Sequence, residues 1–84
     1  MINKEILKKQ IIYRSTHRGS KEMDILLGNF VKKYINSFNE DELKDVEKIL
    51  SIEDEILHRW YFNKMDNKII PNNKVSEKLK KFKL

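Results

Sequence analysis

Apolar side chains recur along this chain in steps of three and four, the period of a helix with one buried face. The first such stripe, Ile6, Leu7, Ile11 and Tyr13, predicts a helix over about residues 4–14, with Asn3 as its cap and Ile2 placed to staple the entry. A polar break follows at Ser15-Thr16-His17-Arg18-Gly19-Ser20, where Gly19 offers positive φ or close backbone approach, so a corner between two helices is expected. The longest stripe, Met23, Leu26, Leu27, Phe30, Val31, Tyr34 and Phe38, predicts a second helix over about residues 20–38 that forms the spine of the fold. Gly28 lies on this helix, where glycine costs about 1 kcal/mol against alanine, and its use is to let a neighbour come close.

Asn39 followed by Glu42 forms a variant capping box and starts a third helix through about residue 50, carrying Leu43, Val46, Ile49 and Leu50. Ser51 with Asp54 then offers a cap for a fourth helix holding Ile56, Leu57, Trp60 and Tyr61. Residues 63–73 are polar apart from Met65, Ile69, Ile70 and Pro71, and Val75, Leu79 and Phe82 mark a weak fifth helix in a Lys-rich tail, residues 74–84, that is expected to fray. The fold class is therefore all-α, a single-domain bundle of about five helices over residues 1–84.

Composition sharpens this picture. Two glycines and one proline are too few for the frequent turns of an all-β chain. With 39% apolar and 37% charged residues, buried area barely offsets ordering entropy, leaving about 3–5 kcal/mol of net stability in a fold that must rely on local contacts. Eighty-four residues leave little interior for a substrate cleft, so an enzyme is disfavoured. The absence of cysteine excludes disulfides, thiolate metal sites and thiol catalysis. No apolar run approaches the ~18 residues of a membrane span, and residues 1–14 fit neither a secretory signal nor an Arg- and Ser-rich transit peptide, so a bacterial cytoplasm is the expected location and membrane insertion is not.

The net charge of +5 invites a nucleic-acid reading, in which a small basic regulator uses a helix-turn-helix at residues 15–20. The distribution opposes it. Residues 1–38 hold eight basic and three acidic groups, residues 39–62 three and eight, and residues 63–84 seven and two. A recognition helix beginning at Ser20 would present Glu22 and Asp24 to phosphate. The Lys-rich tail reads as a solvated face.

The polar corner carries the conspicuous chemistry. Arg18 can fork onto a carboxylate or carbonyl, Gly19 admits a close surface, and Glu22 can pair with Arg18 or accept hydrogen bonds from outside. On spacing alone a solvated helix cap with a local ion pair is favoured over a binding site. His17 and His58 are too isolated for a metal site, Glu53-Asp54-Glu55 reads as an acidic helix start, and Trp60 reads as a core residue ahead of the alternative that it forms an interface hot spot with Tyr61 and Arg59.

The stretch from Tyr13 to Phe30, with Arg18-Gly19-x-x-Glu22 at its centre, resembles the signature of the succinate dehydrogenase assembly factor 2, or flavinator, family. Similarity continues through Asn39 to Glu42, Ile49-Leu50, Asp54 and Trp60-Tyr61, about residues 11–62 in all. The resemblance implies a five-helix bundle, not an enzyme, that acts as a monomer on the flavoprotein subunit of succinate dehydrogenase, and often on that of fumarate reductase, promoting covalent attachment of FAD. No cofactor is expected to stay on the chain itself, and nucleic acid is not an expected partner. Carried over by position, Arg18, Gly19 and Glu22 match the hallmark, Asp24 matches an acidic position common in bacterial members, and His17 neighbours the arginine as part of the partner-binding set. His17 and Ser20 stand where many relatives have a basic residue and Met. On this reading Arg18→Ala and Glu22→Ala should both leave helicity unchanged while lowering covalent flavin on the partner.

Overall fold

The computed structural model describes residues 3–83. Five α-helices follow one another: α1 Lys4–Thr16, α2 Lys21–Tyr34, α3 Glu40–Leu50, α4 Asp54–Phe62 and α5 Lys74–Lys81. There is no strand among the described residues. The helix class and the number of helices agree with the periodicity.

The predicted caps set most of the boundaries. The Asn3 side chain accepts the Glu5 N–H at 2.8 Å; Ile2, its expected staple, lies outside the described residues. Asn39 and Glu42 close their capping box in both directions, at 2.8 and 2.9 Å. Two boundaries differ from expectation. The second helix leaves α geometry after Tyr34 and tightens into a 3-10 turn at Ile35–Ser37, placing Phe38 in extended backbone but still buried. Ser51 does not start α4: its hydroxyl donates to the Lys48 carbonyl at 2.7 Å and finishes α3. Glu53 is the N-cap of α4, without a side-chain cap bond. A second box that the pattern did not announce, Asn73 with Ser76, starts α5.

α2 is the spine. Met23, Leu26, Leu27, Phe30 and Val31 are all buried, and α1 packs along it. Gly28 lies where α1 ends: a Cβ there would meet the Thr16 methyl at 3.3 Å, so its missing side chain is what lets the two helices meet. α3 contributes Leu43, Val46, Ile49 and Leu50, and α4 contributes Leu57, Trp60 and Tyr61, so Trp60 is a core residue. α1 buries only Leu7, Ile11 and Ser15. Ile6, Ile12 and Tyr13 remain at least one-third exposed, a narrower inner face than the sequence stripe suggested.

The Lys-rich segment is tied to the core. Val75, Ser76 and Leu79 are buried as α5 packs on α3, and Phe82 meets Phe30 edge-on at 5.5 Å between centroids. Lys78 lies over the Tyr34 ring at 4.5 Å, which turns one tail lysine into a cation–π contact. The Tyr61 hydroxyl donates to the Phe82 carbonyl, and burial pushes the Tyr61 phenol above its ordinary pKa, so it stays a neutral donor. The residues described through position 83 thus share one hydrophobic core.

Candidate functional site at the helix corner

α1 and α2 are joined by His17-Arg18-Gly19-Ser20, and this corner is held from both sides. Ser15, fully buried, turns its hydroxyl back to the Ile12 carbonyl at 2.8 Å, and Thr16 does the same at 3.0 Å, so the last turn of α1 is closed by its own side chains. On the α2 side Ser20 caps the Met23 N–H. Asp24, one turn into α2, accepts the Arg18 N–H. A carboxylate in the first turn of a helix also meets the positive end of its dipole.

The Arg18 side chain points inward. Its Nε donates to Asp54 Oδ1 at 2.7 Å and one terminal nitrogen approaches the same oxygen at 2.6 Å. The other terminal nitrogen donates to the Leu50 carbonyl at 2.5 Å, and a further bond reaches the Ile52 carbonyl at 2.8 Å. Only 10% of the side chain is exposed. Leu50 ends α3, and the last carbonyls of a helix have no partner within it. The guanidinium, with its fixed fork of donors, therefore caps α3, pairs with the first residue of α4 and belongs to the α1–α2 corner at once. Of the two options open to Glu22, the pairing with Arg18 does not form, because Asp54 occupies the arginine.

Asp54 is also the reason for the glycine. Its Oδ2 accepts the Gly19 N–H at 2.7 Å, and a Cβ on Gly19 would lie 3.2 Å from that oxygen. Gly19 does not have positive φ; the requirement is close approach to a carboxylate that Arg18 holds in place. Of the acidic triplet Glu53-Asp54-Glu55, only Asp54 joins the corner, while Glu55 pairs with Arg59 on the surface at 2.5 Å.

The remaining corner residues face solvent. Glu22 is exposed in the first turn of α2, and among the described residues no ion pair or side-chain hydrogen bond engages it. Ile25, on the same side of the helix, is 45% exposed. His17 is exposed, stacked on Tyr13 with 3.9 Å between ring centroids, and its Nδ1 lies 2.8 Å from the Tyr13 carbonyl. The five residues marked by the sequence thus fall into two sets: Arg18 and Asp24 hold the corner, whereas His17, Gly19 and Glu22 form its outer surface. Asp54, Tyr13 and Ile25 were missed as members. Asp54 could have been sought as the acid a buried arginine requires, but nothing local selects it among eight acidic residues in positions 39–62.

Other features offer less chemistry. An open groove of about 940 Å³ runs between Trp60, Ile70, Pro71 and the lysines at 80 and 81, far along the chain from this corner. Among the described residues no group of three His, Asp or Glu is placed to hold a metal, and no helix is long and apolar enough to cross a membrane.

Fold and corner together define a small all-α domain whose distinguishing feature is a hydrogen-bonded Arg-Gly bend followed by an exposed glutamate. The family model described as "Flavinator of succinate dehydrogenase" matches residues 9–83, and the chain belongs to this family. The match reaches beyond residues 11–62 and takes in α5. The chain is 35% identical over 77 residues to the mitochondrial succinate dehydrogenase assembly factor 2 of Scheffersomyces stipitis, covering 92% of this chain and 52% of that one. It is 32% identical over 74 residues to the FAD assembly factor SdhE of Acetobacter pasteurianus, covering 88% and 65%. The corresponding Arabidopsis thaliana protein is 36% identical over 58 residues, 69% of this chain and 31% of that one. The chain therefore spans from about a third to about two-thirds of the length of these relatives. No solved structure matches it significantly.

Proposed function

We propose that this chain is a non-catalytic assembly factor that binds the flavoprotein subunit of succinate dehydrogenase and promotes covalent attachment of its FAD. The observation that carries this reading is the exposed Glu22 beside Gly19 on a corner locked from behind, within a family match spanning residues 9–83. Relatives named for succinate dehydrogenase assembly and for FAD assembly support it.

The role asks for no acid, base or nucleophile from the helper. If the partner supplies both the flavin and the side chain that attacks it, the helper has only to favour the conformer in which they meet. Each ~1.4 kcal/mol of preference for that conformer is about tenfold in rate. A rigid docking surface suits that task, because little entropy is lost on binding. Glu22 would accept hydrogen bonds or pair with a cation of the partner, Gly19 would let the partner's backbone approach, and Ile25 with the Tyr13–His17 stack would supply apolar area. FAD would remain with the partner, and fumarate reductase is a second client of the same kind. The bacterial cytoplasm, where both would be assembled, is the proposed location.

The test is reconstitution. Apo-flavoprotein subunit, incubated with FAD with and without this chain, should co-purify with it and show stronger in-gel flavin fluorescence when it is present. Equal fluorescence in both arms, with no co-purification, would refute the proposal.

A further inference from the structure

We propose that Asp54, at the start of α4, is a positioning residue for partner binding: one carboxylate holds the hallmark arginine with one oxygen and the hallmark glycine with the other, and so sets the outer surface that Gly19 and Glu22 present. This rests on the reading of the corner as the docking surface and goes beyond it by removing Arg18 from direct contact.

Three observations carry it. The Asp54 side chain is 21% exposed and that of Arg18 10%, so neither offers much surface to a partner. The carboxylate is divided: Oδ1 takes the guanidinium at 2.6 and 2.7 Å, and Oδ2 takes the Gly19 N–H at 2.7 Å. The contacts span 36 and 35 positions of sequence, so α4 dictates the shape of a bend to which it is not adjacent in the chain. Gly19 follows directly, and Glu22 lies three residues on, in the first turn of a helix whose start is fixed by Ser20 and by the Arg18 N–H bond to Asp24. If Asp54 lets go, the Gly19 amide and the Arg18 guanidinium are both released, and the backbone that Gly19 presents beside Glu22 is no longer set.

The expectation differs from that for a direct contact. If Arg18 acts through Asp54, losing either residue should damage the same device, and losing both should cost little more than losing one. If Arg18 touches the partner itself, its loss should cost clearly more than that of Asp54, because a contact is removed together with the device that holds it.

The experiment uses the full chain and the apo-flavoprotein subunit of succinate dehydrogenase, at a temperature where each variant is folded by circular dichroism. Asp54→Asn should weaken binding at least tenfold. Exchange at the Gly19 amide, followed by NMR, should accelerate at least tenfold while the amides of Leu27 and Phe30 keep their protection, a local change that general destabilisation would not produce. Arg18→Gln should weaken binding similarly, and the double variant by less than a further threefold. Should Asp54→Asn fail to fold, Asp54→Glu decides: it keeps the charge for Arg18 but, being one methylene longer, cannot hold the guanidinium and the Gly19 N–H in the same geometry, and it should still lose at least fivefold in affinity. Wild-type affinity in whichever of these two folds, or a loss from Arg18→Gln clearly greater than that from Asp54→Asn, would overturn the proposal. Glu22→Ala run in parallel separates the two levels: if it too binds as wild type, the corner is not the interface, whereas lost binding by Glu22→Ala with wild-type binding by the Asp54 variant refutes the positioning role alone.

Discussion

Replacing Arg18 with alanine should lower the stability of this domain by about 3 kcal/mol, the lower end of what removing one member of a buried ion pair costs, because this pair is part-buried. The site justifies that figure. The substitution strips Asp54 of its cation, leaves the Leu50 carbonyl without its donor at the end of α3, and frees the Ile52 carbonyl, all in a region where the arginine side chain is only 10% exposed. In a domain of this size each kcal/mol moves Tm by about 4–8 °C, so a loss of roughly 12–24 °C is expected in a thermal melt. Set against about 3–5 kcal/mol of total stability, much of the variant would be unfolded at physiological temperature. Arg18→Lys should recover only part of the loss, because one ammonium cannot span a carboxylate and two carbonyls as the fork does. A Tm within about 4 °C of wild type for Arg18→Ala would show that the corner does not depend on this network. The expectation that Arg18→Ala leaves helicity untouched, drawn from the sequence, is thereby withdrawn, whereas that for Glu22→Ala stands.

Phe30→Ala should have a comparable or larger effect, about 3–5 kcal/mol, by leaving a cavity at the centre of the spine. Phe30 is 2% exposed and its ring meets Tyr34 at 5.3 Å, Phe38 at 6.1 Å and Phe82 at 5.5 Å, joining α2, the turn that follows it and the end of α5. Such aromatic pairs add about 0.5–1.5 kcal/mol each beyond burial. The loss should also have a location. With Phe82 deprived of its main ring contact, trypsin should cut at Lys78, Lys80 and Lys81 well before it cuts α2. Uniform cleavage along the chain, or a loss of less than 1 kcal/mol, would contradict the role given to this ring.

What the sequence discloses and what it hides follow the range of the interactions. α2 and α3 were legible because their apolar stripes and the Asn39–Glu42 box are local, written within one or two turns. Gly28 was legible for a related reason: a glycine on an otherwise apolar helix face has few uses besides close packing. The anchoring of α5 was not, because Phe82 reaches Phe30 across more than half of the chain. Ser51 looked like a helix start because its hydroxyl can serve either end, and the helix before it took that hydroxyl.

The bend between α1 and α2 was legible in the sequence, and the direction in which its arginine points was not. His17, Arg18, Gly19, Glu22 and Asp24 do converge at the α1–α2 bend, yet spacing alone could not tell an arginine aimed outward from one aimed inward. The partner that decides the matter, Asp54, belongs to an acidic triplet that a helix start explains equally well, and its pairing with Arg18 is a product of tertiary packing. The basic excess that suggested nucleic acid is carried by lysines spread along the chain, and three of them, Lys33, Lys64 and Lys78, lie over aromatic rings.

On the proposed function the hallmark divides into a part that holds the fold and a part that meets a partner, and Glu22→Ala tests that division most directly. Glu22 is exposed and unpaired among the described residues, so the variant should melt within about 1 kcal/mol of wild type. Covalent flavin on the succinate dehydrogenase flavoprotein subunit, read by in-gel fluorescence in the presence of this variant, should fall at least severalfold below the wild-type level. Undiminished covalent flavin with a fully folded Glu22→Ala chain would contradict the claim that this corner is where the partner is met.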